Sequence, residues 1–224
     1  MVIKMKKANM TKKYKITNKQ KSKEIIDVLA NYFNNAKCGL DFKSPIQLVV
    51  ALILAAQCTD ARVNTIIPIL FKKYPTVYDL AKANINDISE IVKPCGFYKN
   101  KSISISETAN IIVNNFNGEV PNTMDELTTL RGIGRKSANI ILQECFNNTV
   151  GIAVDTHVTR ISRKLGFSNS NTPEKIEQDL MKKFDKKYWN VINHVLVLHG
   201  RAYCIARRPN CNECPINNLC PKND

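Results

Sequence analysis

Two groups of side chains in this 224-residue sequence could do chemistry. The first is a lysine and an aspartate nineteen residues apart, Lys136 and Asp155. A lysine amine attacks an electrophilic carbon only when neutral, and the covalent intermediate then splits one hard step into two easier ones. Lys136 opens a helical run beside Arg131 and Arg135. A helix N-terminus, partial burial and neighbouring cations would each disfavour the protonated amine. Asp155 opens another helical run, where a carboxylate can cap the helix and still face a site. The plain alternatives are a solvated lysine and a simple N-cap. The second group is Cys204, Cys211, Cys214 and Cys220, spaced C-x6-C-x2-C-x5-C. Four thiolates this close can wrap one metal centre, and their softness suits zinc or an iron–sulfur cluster. Zinc knuckles commonly pair cysteines twice at short spacing. Here only Cys211 and Cys214 are spaced that way.

The lysine is positioned by a helical hairpin. Thr123 is an N-cap candidate, with Glu126 three places on to complete a capping box. Met124, Leu127 and Leu130 recur at helical spacing. The turn Arg131-Gly132-Ile133-Gly134 follows, and a second helix runs from Arg135 to about Phe146. Glycine admits positive φ and close approach of another backbone. The free amides of the second helix's first turn can then face a phosphate. The aspartate is reached through a turn at Asn147-Asn148 and an extended stretch from Val150 to Val154, and a helix from Thr156 to Leu165 follows it.

The remaining chain also reads as helical. Lys19 to Phe33 is amphipathic, with Ile25, Ile26, Leu29 and Phe33 on one face. Ser44, with Pro45 at the first helical position and Gln47 at the third, starts a helix that is apolar on all sides and so central. Gln57-Cys58-Thr59-Asp60 interrupts it, and a polar cluster there needs partners or a purpose. Asp60 could cap the next helix, from Val63 to Tyr74. Short helices are expected at 77–83 and 86–93, then a break at Pro94-Cys95-Gly96. Phe97 on this glycine turn, next to Lys99 and Lys101, suits a wedge entering a base stack, or else a core residue. Ile103 to Ser106 alternates like a strand, but Ile105, Ala109, Ile112 and Phe116 favour a helix. Further helices run from Pro173 to about Phe184 and from Trp189 to Gly200. His157 and His199 have no second ligand pattern and read as structural.

A net charge of +14 points to an anionic partner, nucleic acid first and an acidic membrane surface second. Much of it lies in the first 23 residues, with nine lysines and no acid; residues 1 to 18 read as a disordered tail. The longest apolar run, Leu48 to Ala56, is too short to span a bilayer. Cys38, Cys58, Cys95 and Cys145 sit in apolar or helical surroundings and read as reduced core thiols. No secretory pattern follows the basic start, so a reducing, cytoplasmic (nucleoid-associated) setting is expected.

Taken together, the hairpin, Lys136, Asp155 and the cysteine spacing closely resemble the endonuclease III family of DNA glycosylases, over about residues 20 to 222. The resemblance implies an all-α, two-lobed helix-hairpin-helix glycosylase fold. A central domain, 38–147, would carry the hairpin, and 19–37 with 148–224 would form a discontinuous cluster domain. It implies a [4Fe-4S] cluster on the four C-terminal cysteines, with a structural role. It implies a base excision repair enzyme, a monomer, that removes oxidised pyrimidines from damaged duplex DNA. Lys136 would attack C1′ of a flipped nucleotide and form a Schiff base, and β-elimination would cut the strand. Asp155 would stabilise the positive charge on the sugar. DNA contacts would come from Gln57, Asp60, Phe97, Arg131, Gly132, Gly134, Arg135, Arg207 and Arg208. Gln57 would reach into the duplex and Asp60 would line the pocket. One departure is Arg131, where the family commonly has proline; this should loosen the turn. A non-catalytic hairpin DNA-binding module, an adenine-type monofunctional glycosylase and an iron–sulfur electron carrier are the competing readings. Lys136 argues against the first two.

Overall fold

The computed structural model of the chain describes residues 14–222. Eleven α-helices and two 3-10 turns make up the regular structure, and no strand occurs among the described residues. The helices are α1 (Lys19–Tyr32), α2 (Pro45–Ala55), α3 (Asp60–Lys73), α4 (Val77–Lys82), α5 (Ile85–Val92) and α6 (Tyr98–Asn115). They continue with α7 (Met124–Leu127), α8 (Arg135–Phe146), α9 (Thr156–Lys164), α10 (Pro173–Lys183) and α11 (Trp189–Ala202).

Two separate clusters of buried apolar side chains organise these helices. The first is built on α2, whose residues Leu48 to Leu54 are all buried, with α3, α5, α6 and α8 around it. Burying each such large side chain contributes about 1.5–3 kcal/mol, so this helix anchors its lobe. The second cluster joins Ile25, Ile26 and Leu29 of α1 to Val158 and Ile161 of α9, Ile176 and Leu180 of α10, and Ile192, Val195 and Leu196 of α11. The chain thus leaves the second core after α1, builds the first from α2 to α8, and returns. The α1 helix closes the second core from the N-terminal side of the sequence.

Local signals set most helix ends, with some differences in detail. Thr123 accepts from the Glu126 amide, but the Glu126 carboxylate meets the Thr123 hydroxyl at 2.6 Å rather than returning to its N–H, so the box is half made. Ser44 makes no capping hydrogen bond; Gln47 accepts from the Lys43 amide instead, at 2.8 Å. Thr59, not Asp60, caps α3, which therefore begins three residues before the expected Val63. Asn147 takes φ +52° and ends α8, as the Asn-Asn turn suggested. Residues 14–18 depart from the expected disordered tail. Tyr14 and Asn169 bond reciprocally, the Thr17 hydroxyl donates to Leu165 and Gly166 carbonyls, and Asn18 caps α1. The rest of that tail, with most of its lysines, lies outside the described residues.

Candidate active site

Lys136 is the second residue of α8, and its placement follows from two glycines that do different work. Gly132 has φ +85°, a backbone that favours glycine, while a Cβ there would make only an ordinary contact with Ile53 Cγ1 at 3.4 Å. Gly134 is extended, with φ −97° and ψ 178°, and nothing lies within 4 Å of its would-be Cβ. Its missing side chain leaves room on the solvent side. Gly134 is also the N-cap of α8 and supplies no capping side chain. The amides of the first turn are therefore open to an outside acceptor, as a phosphate would be.

Asp155 caps α9 by accepting from the Val158 amide at 2.8 Å. The segment leading to it is tied down from the second core. Asn193 of α11 donates to the Ala153 carbonyl at 2.7 Å, and the Ile152 amide donates to Glu177 of α10 at 3.2 Å. Glu177, 3% exposed, also accepts from Arg135 Nε at 2.5 Å and Asn139 Nδ2 at 2.7 Å. One buried carboxylate thus holds both the first turn of the lysine's helix and the approach to the aspartate.

Lys136 and Asp155 line one cavity of about 140 Å³ between the two cores, together with Asp60, Asn193, His194 and Arg201. Polar pairs clasp its rim. Asp60 pairs with Arg201 at 3.2 Å, and His194 meets Glu144 at 3.3 Å and Gln143 at 3.1 Å. A larger cavity of about 540 Å³ opens nearby, around Cys38, Phe71 and Glu144, but holds neither Lys136 nor Asp155. Of the two, only the smaller brings Lys136 and Asp155 together.

The structure changes three expectations about this site. Lys136 is exposed rather than partly buried, and Arg131 and Arg135 are matched by Glu107 and Glu177, so the expected crowding of cations is largely countered. Arg131 does not loosen the turn. Its guanidinium meets Glu107 at 2.6 Å and its carbonyl accepts from Thr108 at 3.0 Å, which pins the turn to α6. Lys101, grouped with the basic residues beside Phe97, is buried. It lies on the α6 stripe that continues as Ile105, Ala109 and Ile112, a spacing that could have revealed it.

Gln57 and Phe97 stand on exposed turns, both with left-handed backbones, φ +54° and +47°. Phe97 is 64% exposed, so it is not tucked into the core. Arg207 and Arg208 are exposed on the loop after α11. Sequence reasoning missed Glu177 and Arg201, whose partners are 42 and 141 residues away.

Cys204, Cys211, Cys214 and Cys220 surround a cavity of about 150 Å³, walled also by His199, Tyr203 and Ile216. Four soft thiol ligands around one cavity of this size fit an iron–sulfur cluster, which is typically held by four cysteines. Burial raises the Cys204 and Cys214 thiols above their ordinary range. His199 is buried against this loop, 4.0 Å from Cys214 Sγ, and burial with nearby Arg160 lowers it to about 4, which suits a neutral structural ring. The other cysteines are free. Burial raises Cys38, and raises Cys95 and Cys145 to about 11, as inert core thiols should be.

Comparison with known proteins gives the chain a family. Residues 50–186 match the model of the HhH-GPD superfamily of base excision DNA repair proteins, and residues 204–220 match the iron–sulfur binding domain of endonuclease III. The chain is 43% identical to an endonuclease III of Synechocystis sp. over 92% of its own length and 94% of that protein's. It is 35% identical to the endonuclease III of Escherichia coli, covering 91% and 96%. Its structure is similar to that of a trapped endonuclease III–DNA covalent intermediate, with a TM-score of 0.87 at 36% identity over 92% of this chain and 97% of that one. A thermostable thymine-DNA glycosylase shares the fold, with a TM-score of 0.79 at 19% identity.

Proposed function

This chain belongs to the endonuclease III family within the HhH-GPD superfamily, and we propose that Lys136 and Asp155 carry its chemistry in the cleft between the two cores. It is a bifunctional DNA glycosylase and AP lyase of base excision repair, acting on oxidised pyrimidines. The observation that carries the residue assignment is the meeting of Lys136 and Asp155 in one cavity, beside a helix N-terminus left uncapped. We read its partner as damaged duplex DNA and its working form as a monomer. We read a central lobe of about 38–147 and a second lobe of 19–37 with 148–224; the two buried clusters support this division, with Ala153 alone crossing into the first. No helix among the described residues is long and apolar enough to cross a membrane.

The target nucleotide leaves the stack first, at a cost of a few kcal/mol that is least for a damaged base. Open amides at the start of α8 and the turn at Gly132 and Gly134 take a phosphate. The side chains of Gln57 and Phe97 fill the space left in the duplex. Arg207 and Arg208 add phosphate contacts, which position the protein without reading sequence. Lys136 Nζ, once neutral, attacks C1′. The N-glycosidic bond breaks, and its electron pair leaves with the base, which takes a proton. The Asp155 carboxylate stabilises the positive charge on the sugar and accepts the proton shed by the amine. Ring opening gives an imine between Nζ and C1′. Loss of a C2′ proton then expels the 3′ phosphate, and water hydrolyses the imine to free the lysine. Arg135 and Arg131, tied to Glu177 and Glu107, hold the hairpin in register through those acids. Cys204, Cys211, Cys214 and Cys220 would hold the [4Fe-4S] cluster, which would supply structural cross-linking to this loop.

Borohydride converts an imine to a stable amine. Wild-type protein, incubated with a duplex holding one oxidised pyrimidine and then reduced, should give a covalent protein–DNA adduct. Lys136→Ala should give none while binding the duplex within about twofold, since one amine contributes little to affinity. Base release by wild type without any adduct would mean that water is the nucleophile, and the lyase assignment would fail.

A further inference from the structure

Lys101 is 5% exposed, yet it ends in an ammonium group. Its Nζ donates to the Leu54 carbonyl at 2.9 Å and to the Cys95 carbonyl at 2.8 Å. Burying a charge is costly unless it is well bonded, so this arrangement must be held by the surrounding structure. The two acceptors are informative. Leu54 lies in the last turn of α2, where carbonyls lack helical partners and carry the negative end of the helix dipole. Cys95 ends the 3-10 turn Lys93–Cys95. Counting on from each carbonyl, Gln57 is three residues away and Phe97 two.

Both of these residues are exposed and have positive φ. Left-handed backbone is costly for a residue with a side chain and persists only where the surroundings over-determine it. The two turns also share the first core: Cys95 is buried in it and Cys58 packs against it, and burial, followed by the nearby Cys58, pushes the Cys95 thiol up to about 11. Lys101 therefore ties the stems of two strained turns, while its own head stays away from solvent and DNA.

We propose that Lys101 is a positioning residue that fixes the separation and depth of Gln57 and Phe97, so that the two side chains enter the duplex as one unit. This rests on the reading, made above, that both side chains penetrate the duplex. Lys101 touches neither the sugar nor the base. It acts through the two carbonyls. An isosteric neutral residue would fill the same volume but leave the two turns free to drift apart.

The test compares duplex with single-stranded substrate, because only the duplex must be opened. Lys101→Met should slow single-turnover excision of an oxidised pyrimidine from a duplex at least tenfold. Borohydride trapping on a single-stranded abasic oligonucleotide should stay at the wild-type rate. With 2-aminopurine placed beside the lesion, the fluorescence rise that reports unstacking should shrink. Gln57→Ala and Phe97→Ala should each slow duplex excision alone, and adding either to Lys101→Met should cost clearly less than it does in wild type. Lys101→Arg keeps the charge and donors on a wider head, so it provides a folded variant if Lys101→Met does not fold; it should slow duplex excision in the same direction. Equal slowing on duplex and single strand, or full additivity with Gln57→Ala and Phe97→Ala, would overturn the proposal. A Lys101→Arg protein that matches wild type on every substrate would do so too. If instead Gln57→Ala and Phe97→Ala leave duplex excision unchanged, the penetration reading itself fails, whatever Lys101 does.

Discussion

The hairpin turn at 131–135 and the paired turns at 56–58 and 95–98 both bend the chain sharply, but they solve the problem differently. The hairpin puts glycine at its positive-φ position, Gly132, and leaves the second glycine open to solvent. The paired turns put Gln57 and Phe97 at positive φ, where glycine would be easier. Under the proposed function, the difference follows from which atoms meet the DNA. Where backbone amides meet the ligand, a side chain is in the way and glycine is favoured. Where the side chain is the working part, glycine is ruled out and the strain must be held by neighbours. The hairpin is held from outside by ion pairs, Arg131 to Glu107 and Arg135 to Glu177. The paired turns are held from beneath by a buried lysine.

Removing the hairpin's deepest support should have the largest effect. Glu177→Ala leaves the Asn139 amide and the Ile152 N–H buried without their partner, a loss of about 2–4 kcal/mol. Denaturant unfolding would show it, and trapping on single-stranded abasic DNA should slow as well, because Lys136 and Asp155 lose their common anchor. Unchanged trapping would mean that the two residues are positioned independently. Next is Gly132→Val, where a β-branched side chain meets φ +85° and the Ile53 side chain; about 2–3 kcal/mol of stability should go.

Phe97→Gly should separate strain from function. Relieving a left-handed residue gains about 1–2 kcal/mol, and glycine's extra freedom in the unfolded chain takes back about 0.5–1, so a net gain of about 0.5–1 kcal/mol is expected. The same variant should slow duplex excision. A protein both less stable and less active would show that Phe97 is packed rather than strained. Smallest in stability is Gly134→Ala, which meets no neighbour and has ordinary φ; its cost should stay within about 0.5 kcal/mol. Its duplex affinity should nevertheless fall, since the new methyl occupies the room left for a phosphate. Unaltered affinity would remove Gly134 from the contact surface.

The parts of this molecule that were legible in the sequence are the local ones. Cysteine spacing, the Gly-x-Gly turn, the Thr123 cap and the apolar α2 stretch each depend on residues a few positions apart, so the pattern is written in one place. Asp155 as an N-cap was readable for the same reason. What escaped depends on distant pairing. Glu177 sits in an amphipathic helix and looks like a solvated acid until α8 is placed against it, and Arg201 meets Asp60 across 141 residues. Burial misled in both directions. Lys136 was expected to be partly buried and is exposed, while Lys101 was grouped with surface lysines and is buried. A lysine's long stem lets it serve either place, so its type alone does not decide.

The placement of α1 in the second core has a consequence for how the chain is made. Ile25, Ile26 and Leu29 pack with side chains of α9, α10 and α11, so a helix made before the whole central lobe belongs to the lobe completed after it. Between Tyr32 and Trp189 lie 156 residues, which at about 5–20 residues per second take roughly 8–30 seconds to synthesise. Throughout that interval the central lobe can fold as a contiguous unit while the apolar face of α1 waits in the open. A nascent chain halted before α11 should therefore hold a protease-resistant central lobe and a protease-sensitive α1, whose open apolar face a chaperone would cover.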